Sequence, residues 1–300
     1  MVDVTPIWTV PVLPVALAVL ALSAAALDSV LAGTVRSAAD PLREAARLLV
    51  QQRRRTLLRD TLLMRCGVVS LLVAAVLAAI VLPLGDAPLV DLPVGIVWFN
   101  AMEVCVWGSL WLTGWGANSV HPLVGGYRFV AQGLAYELPH MFALITVALG
   151  AGSLSMTGAV QAQRDLWFIV WMPIAFVVYL VSALAMAFWG PMSQPLGSDI
   201  AGGVGAELSG ADRLIFQAGR YAILVVAAAA AVPLFLGGGN GPLLPAWLWV
   251  LIKTAGVLAA LIWTKHRVPA VRMDCFTPVS WVVLIPLTLV QLLVVGIVVL

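Results

Sequence analysis

Apolar runs long enough to cross a bilayer recur along this chain, at 7–27, 66–84, 94–115, 129–150, 167–189, 214–236, 244–263 and 280–300. A spanning helix needs roughly 20 mostly apolar residues. Backbone polar groups in hydrocarbon must be satisfied internally, which leaves helices or closed barrels. A barrel would show alternating segments of about ten residues, and these runs do not alternate. The chain therefore reads as all-α, a polytopic membrane protein of about eight transmembrane helices. Residues 1–300 are expected to form a single transmembrane domain. Composition supports this: 62% of the 300 residues are hydrophobic and 10% charged, against about 45–50% and 25% in soluble domains.

The basic residues set the expected orientation. Arg36, Arg43, Arg47, Arg53, Arg54, Arg55, Arg59 and Arg65 follow the first run. Arg128, Arg213, Arg220, Lys265, Arg267 and Arg272 belong to the loops after the third, fifth and seventh. The opposite loops hold only Arg164, and Lys253 lies within a run. Positive charge favours the cytoplasmic side. Odd-numbered loops are thus expected in the cytoplasm, with both termini outside a multi-pass inner (plasma) membrane. Tryptophans near run ends (Trp8, Trp115, Trp189, Trp263, Trp281) read as an interfacial belt.

Residues 35–55 form a separate element. Leu42, Ala46, Leu49 and Val50 recur at helical spacing among Arg43, Arg47 and Arg54. This predicts a cytoplasmic amphipathic helix, either an anchor on anionic lipid or a docking surface for a partner.

Ionisable residues inside spans are costly and usually functional. Glu103, Glu137 and Lys253 fall inside runs three, four and seven. Two carboxylates and a lysine on different helices suit a proton relay. A structural ion pair between Lys253 and a glutamate is the plainer reading. Asp28 and Arg220 sit at run edges, where long side chains snorkel cheaply. Cys66, Cys105 and Cys275 form no CxxC pair, and His121, His140 and His266 are scattered. Neither a metal site nor a disulfide framework is expected. Gly202, Gly203 and Gly205 lack the spacing and strand context of a phosphate loop. The start lacks a basic n-region, so no cleavable signal peptide is expected.

The stretch Gly114 to Met156 reads GWGANSVHPLVGGYRFVAQGLAYELPHMFALITVALGAGSLSM. With Gly114, Trp115, Asn118, Ser119, Arg128, Ala131, Gln132, Tyr136 and Glu137, it resembles the H subunit of the respiratory NADH–quinone oxidoreductase, complex I. Glu207 to Gly210 (ELSG) is similar to that family's EYSG, and Leu234 to Gly238 to its LFLGG. Trp247, Lys253, Trp263, Pro269, Arg272, Asp274, Trp281 and Pro286 match its C-terminal pattern. There are departures. The first loop reads LDSVLAGTVRSAAD where the family carries ERK…RRxGPNRVGP, and its acidic loop is PMSQPLGSD here, leaving Asp199. Arg220 beside Tyr221 stands where the family has a glutamate.

The resemblance implies a subunit without its own redox centre or bound cofactor, with quinone as the substrate of the whole complex. It would form part of the quinone cavity and the junction with the hydrophilic arm, coupling quinone reduction to proton translocation. Implied partners are hydrophilic quinone-site and iron–sulfur subunits, small membrane subunits, antiporter-like subunits and membrane lipid, with no nucleic acid. By position, Glu137, Glu207, Glu103 and Lys253 become proton-relay candidates. Arg128, Arg272, Asp274, Glu44 and Arg47 become candidates for the quinone cavity or arm docking, and no metal ligand is implied. Two alternatives remain: the membrane anchor of a related energy-converting hydrogenase, or a degenerate, non-catalytic scaffold.

Overall fold

The computed structural model describes residues 11–33, 37–54, 56, 58–85 and 88–299. Trp8, Arg36, Arg55 and the first residues of the 7–27 run lie outside them. Helices α1 (Val12–Leu31), α2 (Asp40–Val50), α3 (Thr61–Ala79), α4 (Gly95–Gly116) and α5 (Val120–Ala151) build the first half. Next come α6 (Met156–Ala162), α7 (Phe168–Trp171) and α8 (Pro173–Met186), then four short 3-10 turns between Gly190 and Gly205. Helices α9 (Gly210–Phe235), α10 (Ala246–Arg267), α11 (Met273–Val279) and α12 (Ile285–Val299) complete the chain, with a π-helical turn, Ser280–Leu284, joining the last two. Seven segments of the described residues are long and apolar enough to cross a membrane, α11 to α12 counting as one.

The fifth expected run, 167–189, is broken. Pro173 lacks the N–H a continuous helix would need. The chain therefore leaves α7 at Met172 and restarts at Pro173 as α8. Boundaries differ elsewhere for identifiable reasons. Asp60 caps α3, its carboxylate accepting from the N–H groups of Leu62 and Leu63. The helix thus begins five residues before its apolar run. Helix α5 is 32 residues long, about 48 Å at 1.5 Å per residue, so it extends beyond a hydrocarbon layer of about 30 Å.

The amphipathic segment is helical over a shorter range than expected. Pro41 and Asp40 favour its N-terminus and Arg47 its last turn. Its wholly buried residue is Leu48, while Leu42, Leu49 and Val50 are exposed. The expected apolar stripe is therefore mostly free and a neighbouring position docks the helix.

Small residues let the bundle close. A Cβ on Gly67 would come within 2.5 Å of the Thr113 backbone N, and one on Gly116 within 2.3 Å of the Met64 backbone N. Such close backbone approach lets α3 lie along α4 without a hydrophobic driving force between helices. The alanine-rich α9 is the most enclosed span, with Ala227, Ala228, Ala230 and Ala231 wholly buried.

The arginine-bearing connections meet at one end of the bundle. The Asp60 N–H donates to Gly116 O (2.8 Å) and the Val271 N–H to Pro191 O (2.8 Å). The Arg54 N–H donates to Ser209 Oγ at 2.8 Å, and Asn118 Nδ2 to Leu58 O at 3.0 Å. This rim covers the bundle beside α2.

Candidate functional site

Two regions gather the expected site residues: a polar layer within the bundle and the rim above it. In the layer, α4 presents Asn100 and Glu103, three residues apart, and α5 presents Glu137 and His140, also three apart. That spacing puts each pair on one helix face. The pairs interlock. Asn100 Nδ2 donates to Glu137 Oε1 at 3.0 Å. His140 Nε2 stands 2.7 Å from Glu103 Oε2. The latter is an ion-pair contact between two buried groups, while Glu103 Oε1 and His140 Nδ1 have no protein hydrogen-bonding partner. Glu103 is 2% exposed and His140 1%. The Tyr179 ring of α8 lies 5.3 Å from the imidazole, centre to centre. Trp107 Nε1 donates to Tyr136 Oη at 3.0 Å beside Glu137.

No lysine or arginine pairs with either carboxylate among the described residues. Lys253 lies elsewhere, in the second turn of α10. Its ammonium donates to Leu236 O (2.7 Å), Gly238 O (2.9 Å) and Asn240 O (2.9 Å), and sits 4.2 Å above the Trp167 ring. Three donors and three carbonyls close the C-terminal end of α9. The expected pairing of Lys253 with a glutamate does not occur. Glu207 is at the rim, where Ser119 Oγ donates to its Oε1 at 3.3 Å, so it is not part of the layer.

At the rim, Arg128, Asp199, Arg272 and Asp274 line one cavity of about 980 Å³, with Gln194 and Tyr127. Arg128 Nη2 donates to Asp199 Oδ2 at 2.6 Å, and its Nη1 to Gln194 O at 3.4 Å. The Arg128 guanidinium holds the Asp199 carboxyl below the usual carboxylate range. Arg272 and Asp274 pair at 3.0 Å and are largely exposed. Glu44 and Arg47 pair with each other on α2 (2.6 Å), and the guanidinium lowers the Glu44 carboxyl's pKa.

Sequence reading missed three features here. Asp28 is not a snorkelling edge residue. It is buried and accepts from Lys265 Nζ (2.7 Å) and Tyr221 Oη (3.1 Å), with His266 Nε2 at 3.0 Å. Arg220 does not snorkel either. It stacks over the Trp189 ring at 4.5 Å and donates to Phe188 O at 2.8 Å. Trp189 is wholly buried under these cations and so does not belong to an interfacial belt. Asn100 and His140 were legible only as polar residues three positions from a glutamate, within an apolar run.

Among the described residues, no group of three His, Cys, Asp or Glu side chains is placed to hold a metal.

Fold and site together define an integral, all-α membrane protein with a buried carboxylate–histidine layer beneath a charged rim. Residues 30–296 match the family model described as NADH dehydrogenase. Over 268 residues the chain is 34% identical to the NADH-quinone oxidoreductase H subunit 1 of Geobacter metallireducens, covering 85% of this chain and 81% of that protein. It is 33% identical to the H subunit 2 of Geobacter sulfurreducens over the same shares. Against the H subunit of Geobacillus kaustophilus it is 34% identical over 73% of this chain and 67% of the relative. The chain belongs to the H-subunit family of NADH-quinone oxidoreductases.

Proposed function

We propose that this chain is the membrane subunit of a complex I-type NADH–quinone oxidoreductase, coupling quinone chemistry near its cytoplasmic rim to proton movement in the bilayer. Family membership supports the assembly. The observation that carries the coupling role is the Glu103–Glu137 layer. Two carboxylates lie enclosed in the bundle with no lysine or arginine partner among the described residues, and with atoms that protein hydrogen bonds leave unpaired. Beyond the Glu103 Oε2–His140 Nε2 contact, Glu103 Oε1 and Glu137 Oε2 remain without a protein hydrogen bond, as proton carriers need. Such residues inside a membrane mark proton paths by default.

The rim cavity with Arg128, Arg272 and Asp274 is the docking face for the hydrophilic quinone-site and iron–sulfur subunits in this reading. Helix α2, with Glu44 and Arg47, packs on α1 and α9 and adds a second charged surface to the cytoplasmic side in this reading. Glu207 lies where the rim meets the spans and suits the upper end of a relay. Lys253, bonded to three carbonyls, suits the positioning of α9 and α10 around that path. Small membrane subunits and antiporter-like subunits receive the coupled change. Quinone is the substrate of the assembly, and this chain supplies no redox centre.

Glu137→Gln keeps shape and one hydrogen bond but carries no proton. It should leave assembly and complex abundance intact while quinone-linked proton uptake by inverted membrane vesicles falls at least about tenfold. Unchanged uptake would remove Glu137 from the path. Recovery of the wild-type chain as a lone monomer from gently solubilised membranes would count against every reading that places it in a complex.

A further inference from the structure

We propose that His140 is a proton-carrying member of the buried layer, exchanging a proton with Glu103. This rests on the reading of the layer as a proton path. Among the described residues, the group in the layer able to become cationic is His140.

Charge balance makes the argument. Glu103 and Glu137 cannot both ionise inside the bundle without compensation, because an uncompensated buried charge costs several kcal/mol or more. The facing titratable groups are Glu103 on α4, Glu137 and Tyr136 on α5, and Tyr179 on α8. Of these only the imidazole can turn positive. A layer with two neutral carboxyls and a neutral imidazole is uncharged overall. So is one in which the Glu103 carboxyl has passed its proton to His140 Nε2. In that step the Glu103 O–H bond breaks, an N–H bond forms at Nε2, and no electron moves. The proton thus shifts across the layer with no change in its net charge.

The geometry fits a carrier better than a fixed pair. Nε2 and Glu103 Oε2 are 2.7 Å apart, within proton-transfer reach. Nδ1 on the far side of the ring and the second Glu103 oxygen, Oε1, have no protein partner. Histidine has two nitrogens, so a proton taken at one can leave from the other. Glu137 Oε2 and Asn100 Oδ1 lack protein partners too. Buried polar atoms left without protein partners are commonly satisfied by internal water, and water would carry the proton onward. Tyr179 packs on the ring but spends its hydroxyl on Ala227 O at 2.7 Å. It therefore orients the imidazole without competing for its nitrogens.

The test uses the whole complex in inverted membrane vesicles, measuring NADH-driven quinone reduction and proton uptake in the same sample. His140→Gln and His140→Leu should assemble at wild-type abundance, while protons taken up per electron fall at least about fivefold. His140→Gln combined with Glu103→Gln should show no loss beyond Glu103→Gln alone, since residues acting as one unit are non-additive. A merely structural histidine would lower abundance and leave the proton-to-electron ratio unchanged. A wild-type ratio in His140→Gln overturns the proposal. So does failure of both variants to assemble, because a proton carrier must be separable from folding. If wild-type vesicles themselves show no quinone-linked uptake, the reading of the layer falls, and the failure is not specific to His140.

Discussion

A charged side chain inside a span either finds local partners or marks a path, and two residues here take opposite courses. Lys253 spends all three donors on the carbonyls of Leu236, Gly238 and Asn240. Glu103 meets His140 through Oε2 and keeps Oε1 unpartnered. In sequence they look alike, as single charges in apolar runs. What separates them is whether a neighbouring helix ends nearby with free carbonyls. Lys253→Met removes hydrogen bonds to a charged group while retaining length and apolar contact. The expected result is a stability loss of about 1.5–3 kcal/mol, seen as a lower midpoint in a detergent melt of the purified complex. A melt unchanged from wild type would mean that the carbonyls of the α9 terminus need no cap.

At the level of helices, prolines shape the spans and leave traceable gaps. Pro139 in α5 has no N–H for the carbonyl of Ala135, four residues back. The Ser280 hydroxyl, at the start of the π-helical turn, donates to that carbonyl. A defect in one helix is thus satisfied by an irregularity in another, and the contact fixes the last span against α5 on the turn before the Glu137–His140 pair. Ser280→Ala leaves the carbonyl buried and bare. A cost of about 1–3 kcal/mol follows, together with faster proteolysis or amide exchange around 273–284. Wild-type protection there would show that α5 has another partner for this carbonyl. The run 129–150 marked most of α5, with Pro139 visible in it only as a residue type. The π-helical turn was not legible in sequence, because it depends on a carbonyl 145 residues away in the chain. The break at Pro173 was visible as a residue type, but 167–189 reads as one run because average hydropathy does not register a missing donor.

For the whole molecule, orientation and rim stability are the testable properties. Background cysteines Cys66, Cys105 and Cys275 are exposed, so labelling needs a background with all three changed to serine. There, Arg47→Cys should react with a membrane-impermeant maleimide only in inverted vesicles, and Arg164→Cys only in right-side-out cells. The reverse pattern would overturn the cytoplasmic placement of the rim. The Arg128–Asp199 tie has a definite pH sense. The folded Asp199 carboxyl is held below its ordinary value, near about 3.9 in an unfolded chain. Its contribution is therefore complete above that range and disappears as pH falls through the lowered value. Amide-exchange protection of 194–200, corrected for intrinsic rate, should be flat between about pH 5 and 8 and decline only in stronger acid. Loosening near neutrality would show that another group controls this segment. Arg128→Ala should abolish the acid-dependent decline.

By itself the sequence determined the solvent this protein lives in, the approximate run of its spans and its family. Those properties depend on local averages of hydropathy and on contiguous motifs such as Gly114 to Met156. Tertiary structure alone decided which charges meet. It drew Glu103 and Glu137 into one layer with Asn100 and His140, sent Lys253 to the end of α9, and buried Asp28 and Trp189 among basic side chains. The reason is physical: in hydrocarbon the position of a polar group is set by whichever partner reaches it across the bundle, and such partners lie tens to hundreds of residues away.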